Sequence, residues 1–163
     1  PGGREVALEL NSMSKSHNMA GWRVGLVVGA AEYVQNILKV KSNIDSGHFL
    51  PIQHAAAEAV RNTPEWHKEQ NAIYERRREV IWEIMDYVGS VYNKQQVGMF
   101  MWGRIPSRFK TSEEFTEHYL QKAHVFMTPG FIFGSNGEGY LRISVCTTEE
   151  RLKEALKRIK EVG

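Results

Sequence analysis

The feature that most constrains this chain is one long helical segment near its middle, with a different pattern of elements on either side. Thr63-Pro64-Glu65 sets a capping hydroxyl before a proline at the first helical position, where the missing N–H costs nothing. From Pro64 to about Tyr87, Trp66, Ile73, Val80, Ile81, Ile84, Met85 and Val88 form an apolar stripe on an otherwise heavily charged helix. Gly89 is a natural stop. A helix of this length and charge suits a link between two domains.

Upstream, Glu5 to Leu10 is β-prone and runs into a polar loop, Asn11 to Gly21. Trp22 to Val28 is rich in β-branched residues and reads as a second, buried strand. Ala31 to about Lys41 carries Val34, Ile37, Leu38 and Val40 at helical spacing, Ser42 to Gly47 is a loop, and Pro51 opens an alanine-rich helix ending near Arg61. Downstream the units are short and alternate. Met99 to Ile105 is strand-like, Thr111-x-x-Glu114 is a capping box opening a helix to about Ala123, and Val125 to Met127 is a short strand. A glycine-rich loop, Phe131 to Gly139, precedes the strand Tyr140 to Val145. A second capping box, Thr147-x-x-Glu150, opens a helix with Leu152, Ala155, Leu156 and Ile159 on one face.

Composition excludes several classes. The 163 residues allow one sizeable core, or a small domain plus part of another. A net charge of only +2, with the signs interspersed, offers neither a nucleic-acid stripe nor a polybasic membrane patch. No apolar run approaches the roughly 18 residues of a membrane span. One cysteine, Cys146, cannot staple the fold; it is expected to be a small buried residue in a reducing, cytoplasmic setting. The chain starts at Pro1-Gly2-Gly3-Arg4 without a signal peptide and enters a strand-like run almost at once, which reads as a piece cut from a longer polypeptide.

The most informative stretch is Ser12-Met13-Ser14-Lys15-Ser16-His17-Asn18-Met19-Ala20-Gly21-Trp22-Arg23-Val24-Gly25. A lysine follows a strand, flanked by small hydroxyl residues, with an arginine eight positions on. Hydroxyls and a guanidinium hold phosphates, arginine bidentately. A lysine beside such an anion site can reach a carbonyl carbon on the same ligand, and burial or a nearby cation makes it nucleophilic. The second constellation runs from Pro129-Gly130 through Phe133-Gly134 to Leu141-Arg142-Ile143-Ser144. Alternation puts Leu141, Ile143 and Val145 on one face and Tyr140, Arg142 and Ser144 on the other. Arg142 thus stands on a rigid strand beside a glycine-rich loop, suited to two-pronged recognition of a carboxylate. Out of context it would read as a partner for an acid on a neighbouring strand.

Both stretches resemble the class I/II pyridoxal-phosphate aminotransferases, of fold type I. Ser12, Met13, Ser14, Lys15, Asn18, Met19, Gly21, Arg23, Val24 and Gly25 match the family's attachment pattern, and the proline-glycine, phenylalanine-glycine, Arg-Ile-Ser run matches its small domain. The resemblance implies an α/β fold: the end of a large cofactor domain (residues 1–63), a long interdomain helix (64–89) and a small α+β domain (90–163). It implies pyridoxal 5'-phosphate held as a Schiff base on Lys15, with Ser12, Ser14 and Arg23 on the phosphate and Arg142 on the substrate carboxylate. The activity implied is transfer of an amino group from an amino acid to a 2-oxo acid, by a cytoplasmic parent enzyme that is a homodimer. The loop Lys41 to Gly47 looks like the one that approaches the partner subunit's active site in relatives, notably of the diaminopimelate and aspartate types.

Other residues carry less. His17 reads as a local hydrogen-bonder. His48, His54, His67, His118 and His124 lack metal-ligand spacing, so no metal is expected, and Trp22, Trp66, Trp82 and Trp102 read as core or interface aromatics. The family's aspartate at the pyridinium nitrogen, stacked ring, and asparagine and tyrosine at the phenolic oxygen all precede the lysine by many residues. The resemblance therefore covers about the last two-fifths of a complete member, and this chain alone is expected to be catalytically silent. Two alternatives share the fold: a lyase or synthase acting at Cβ or Cγ, including C–S lyases, and an aminotransferase-like sensor of a transcriptional regulator.

Overall fold

The computed structural model describes residues 2–163 and divides between Pro64 and Glu65 into two compact units. In the first, a short helical turn α1 (Gly3–Val6) leads into β1 (Leu8–Ser12), a turn of helix α2 (Met13–Ser16) and β2 (Gly25–Gly29). The strands pair antiparallel from Leu8 opposite Gly29 to Ser12 opposite Gly25. Helices α3 (Ala31–Lys41) and α4 (Leu50–Ala59) follow, with Pro51 in the first turn of α4. The run Ala31 to Lys41 is helical over the whole span its apolar spacing predicts. Two expectations need correction. Glu5 and Val6 are helical rather than extended, so the strand begins at Leu8 and reaches Ser12, into what reads from sequence as loop. The second strand is not buried: Leu26 and Val28 are 42% and 48% exposed, because a two-stranded ribbon has no further strands to cover its sides.

The second unit is built on a four-stranded antiparallel sheet in the order β3-β4-β6-β5. Its strands are β3 (Val91–Tyr92), β4 (Phe100–Arg104), β5 (Thr128–Pro129) and β6 (Tyr140–Ser144). Helix α5 (Pro64–Val88) ends at Gly89, whose φ of 79° is the left-handed conformation that closes helices. Only its second half is buried: Val80, Ile81, Ile84, Met85 and Val88 join Met101, Leu141 and Val145, with Phe115 and Tyr119 of α6 (Ser112–Ala123) and Leu152, Leu156 and Ile159 of α7 (Glu149–Glu161). Period-two alternation sends Met101 and Leu141 into that core and leaves Phe100, Trp102, Arg104, Tyr140, Arg142 and Ser144 on the other face.

Helix caps follow the predicted chemistry with one shift. The Thr111 hydroxyl accepts the Glu114 N–H at 3.1 Å, and Glu114 reaches back to the Lys110 N–H at 2.8 Å. At α7 the cap is Thr148, which accepts from the Arg151 N–H, not Thr147. The strand predicted at Val125 to Met127 lies at Thr128–Pro129, where Thr128 pairs with Arg142. Cys146 falls in the turn after β6 and is exposed, correcting the buried placement: the alternation that buries Val145 ends with the strand. No helix among the described residues is long and apolar enough to cross a membrane.

Candidate functional site

The lysine loop is shaped from below. Met13, Met19 and Val24 are buried against Ile52, Ala55, Ala56 and Ala59, the small-residue face of α4, so three apolar anchors fasten a loop whose Lys15, Ser16 and Asn18 are exposed. The backbone closes on itself: Met13 N–H donates to the Val24 carbonyl at 3.2 Å, Met19 N–H to the Met13 carbonyl at 3.3 Å, and Trp22 N–H to the Met19 carbonyl at 3.1 Å. Two non-glycine residues, Asn18 and Arg23, take left-handed φ values of 54°, a conformation held here by the surrounding contacts.

This folding brings Ser12, Ser14, Lys15 and Arg23 to one end of the β1–β2 ribbon, since Ser12 pairs with Gly25 and Met13 bonds Val24. The Ser12 Oγ accepts the Ser14 N–H at 3.2 Å, capping α2 and leaving its own proton to donate. One Nη of Arg23 donates to the Ala20 carbonyl at 2.9 Å, which restrains the guanidinium of an exposed residue with further N–H groups to offer. Ser16 Oγ lies 2.8 Å from His17 Nδ1, making His17 the local hydrogen-bonder expected. Lys15 is exposed on α2. Hydroxyls and a guanidinium carried at the same strand end are a donor set that fits a phosphate monoester.

His48 was not legible as part of this arrangement. Its Nε2 lies 3.2 Å from the Arg23 carbonyl, and its own carbonyl accepts from Gln53 Nε2 at 2.7 Å, so it ties the strained Arg23 backbone to the first turn of α4. A contact across 25 positions has no local sequence signal. The loop before it is self-stapled: Lys41 Nζ bonds both Asp45 carboxylate oxygens at 2.8 Å.

Arg142 belongs to the second unit, on β6 between Trp102 of β4 and Thr128 of β5. Its Cζ lies 4.3 Å from the ring centroids of both Phe100 and Phe133. Its Nε is buried without an acceptor. It also lines, with Thr128, Ser144, Cys146 and Arg151, a cavity of about 610 Å³, within the range of small-molecule sites. Phe133 is carried by a tight turn, residues 130–137, outside the strand whose alternation places Arg142. Among the described residues no cluster of histidine, cysteine or acidic side chains could hold a metal.

Comparison with known proteins agrees with the sequence pattern. Residues 3–159 match the profile of the family described as aminotransferase class I and II. An LL-diaminopimelate aminotransferase of Oleidesulfovibrio alaskensis is 42% identical over 98% of this chain, which covers 41% of that protein. Another from Aquifex aeolicus is 39% identical over 99% of the chain and 42% of its own length. The crystal structure of an aromatic aminotransferase from Pyrococcus horikoshii superposes with a TM-score of 0.89 at 33% identity, over 99% of this chain and 44% of that one. The fold is therefore that of the fold-type-I transferases, and the chain spans about two-fifths of the length of the relatives it matches.

Proposed function

The chain belongs to the aminotransferase class I and II family, and on that premise we propose that it is the carboxy-terminal part of a pyridoxal-phosphate aminotransferase in which Lys15 anchors the cofactor and Arg142 receives the substrate. The cofactor is implied by the family in general terms; its attachment to these residues is our reading. So is the layout of large-domain end, linking helix and small domain.

Pyridoxal phosphate, when bound, supplies an electron sink for the pair left on the substrate's α-carbon. The chain's own residues do the rest. The Ser12 and Ser14 hydroxyls and the Arg23 guanidinium hold the phosphate, and His48 holds the Arg23 backbone in place. Lys15 Nζ would hold the cofactor at its aldehyde carbon, and its free amine would serve as the base for the proton on the substrate's α-carbon. Arg142 would take the substrate's α-carboxylate by its guanidinium. The chain leaves Lys15 exposed, so the dry surroundings its chemistry needs come from protein beyond these residues and from the ligands.

The observation that carries this reading is the ribbon register, which gathers Ser12, Ser14, Lys15 and Arg23 at one strand end. The names of the relatives support a diaminopimelate-type amino acid as donor, and the aminotransferase family implies a 2-oxo acid as acceptor. We take the parent to be a homodimer from the family likeness of the loop Lys41 to Gly47, and cytoplasmic from the single cysteine in this chain. The test is amino transfer from LL-diaminopimelate to a 2-oxo acid by the complete enzyme, abolished by Lys15→Ala. Release of ammonia with cleavage of a side-chain bond, in place of transfer, would put the protein among the lyases.

A further inference from the structure

Arginines on β-strands are ordinarily held by an acid, and a carboxylate partner inside the protein competes with any carboxylate outside it. Arg142 has no ion pair or hydrogen bond to an acidic side chain among the described residues. What flanks it is aromatic, with Phe100 and Phe133 each 4.3 Å from the guanidinium carbon. Rings restrain a guanidinium through their π-faces and offer no oxygen to its N–H groups. Among the described residues they leave the N–H groups at the edge of the fork for a ligand to bond. The Nε is buried without an acceptor, so the terminal Nη edge is the part a planar, two-oxygen anion meets.

The rings are themselves supported. Phe133 meets Trp102 edge to face at 5.7 Å, Tyr140 stacks on Trp102 at 5.6 Å and 18°, and the Arg104 guanidinium lies 5.5 Å from the Tyr140 ring. The turn bearing Phe133 is closed by Gly130 and Gly137, whose backbones touch so closely that a Cβ on either would run into the other's carbonyl oxygen. Phe133 is half exposed, so neither the core nor its burial explains this scaffolding.

Resting on the reading of Arg142 as the carboxylate receptor, we propose that Phe100 and Phe133 are positioning residues that hold its guanidinium edge-on in place of an acidic partner, and thereby set how tightly the amino acid is bound. Substituting Phe133→Leu removes the π-face and keeps bulk, whereas Phe133→Tyr restores the face. In the complete enzyme, Phe133→Leu raises KM for the amino acid roughly tenfold with kcat changed by less than about twofold, and Phe133→Tyr recovers KM. In the 163-residue chain, the NMR signal of the Arg142 Hε is ring-shifted, moves toward that of exposed arginines in Phe133→Leu and stays put in Phe133→Tyr. An unchanged KM in Phe133→Leu, or an equal rise in Phe133→Tyr, overturns the proposal. If Arg142→Gln damages KM while Phe133→Leu does not, only the aromatic clamp is wrong; if Arg142→Gln is itself silent, the carboxylate reading falls with it.

Discussion

Gly130 and Gly137 meet backbone to backbone across the turn that presents Phe133, leaving no room for a side chain on either residue. The pair converts a glycine-rich loop, flexible by composition, into a fixed platform beside Arg142. Adding one methyl at Gly137 therefore spreads the turn. We expect Gly137→Ala to lower the unfolding free energy by about 1–3 kcal/mol, the usual cost of overpacking, read from urea denaturation. The same variant loses the ring shift at Arg142.

Helix α5 is expected to respond to substitution unevenly. Ile81 is fully buried, whereas the first half of the helix contributes no buried side chain. Ile81→Ala costs about 2–5 kcal/mol, and a change such as Glu69→Ala on the exposed first half stays within about 0.5 kcal/mol. Denaturation midpoints of the two variants check the contrast.

Acid should weaken the second unit through specific carboxylates. The Glu138 carboxylate accepts the Ser112 N–H at 2.7 Å and the Gly139 N–H at 2.9 Å, and these backbone donors hold its pKa below the ordinary value of 4.5. Glu149 is lowered as well, chiefly by its bond to Lys153. A depressed folded-state pKa contributes stability above the unfolded value that is lost as pH falls through the folded one. Unfolding monitored between neutral pH and about pH 3 should show this decline, and Glu138→Gln should flatten part of it. Tyr92 gives the opposite slope at high pH: burial and the adjoining Asp86 carboxylate raise its pKa above 10, so its contribution fades as pH climbs beyond that value.

Cys146, exposed in the turn after β6, should react with a thiol reagent in the native chain. Titration with Ellman's reagent without denaturant is expected to release about one equivalent of chromophore. Reaction only after unfolding would mean that the thiol is covered.

What could be read from the sequence was what local chemistry decides. The apolar spacing of Val34, Ile37 and Leu38 located α3, and the Thr111 capping box located α6. Errors arose where a distant partner decides. Thr128–Pro129, not Val125 to Met127, forms the edge strand because β6 fixes the pairing register. Thr147 and Thr148 are chemically interchangeable caps, and the turn leaving β6 selects the second. Exposure of Leu26 and Val28 depends on what else covers the ribbon, which no residue within it encodes. For the candidate site, residue types and spacing pointed to Ser12, Ser14, Lys15, Arg23 and Arg142. The supports His48, Phe100 and Phe133 reach them through contacts that only the folded chain creates.

The central claim is that the cofactor is carried by the amine of Lys15. Its most direct test is borohydride reduction of the complete enzyme loaded with pyridoxal phosphate, followed by mass mapping of the labelled peptide. The account predicts one pyridoxyl group, on the peptide containing Ser14-Lys15-Ser16, and none in Lys15→Ala. A label on any other lysine, or one that survives Lys15→Ala, would contradict it.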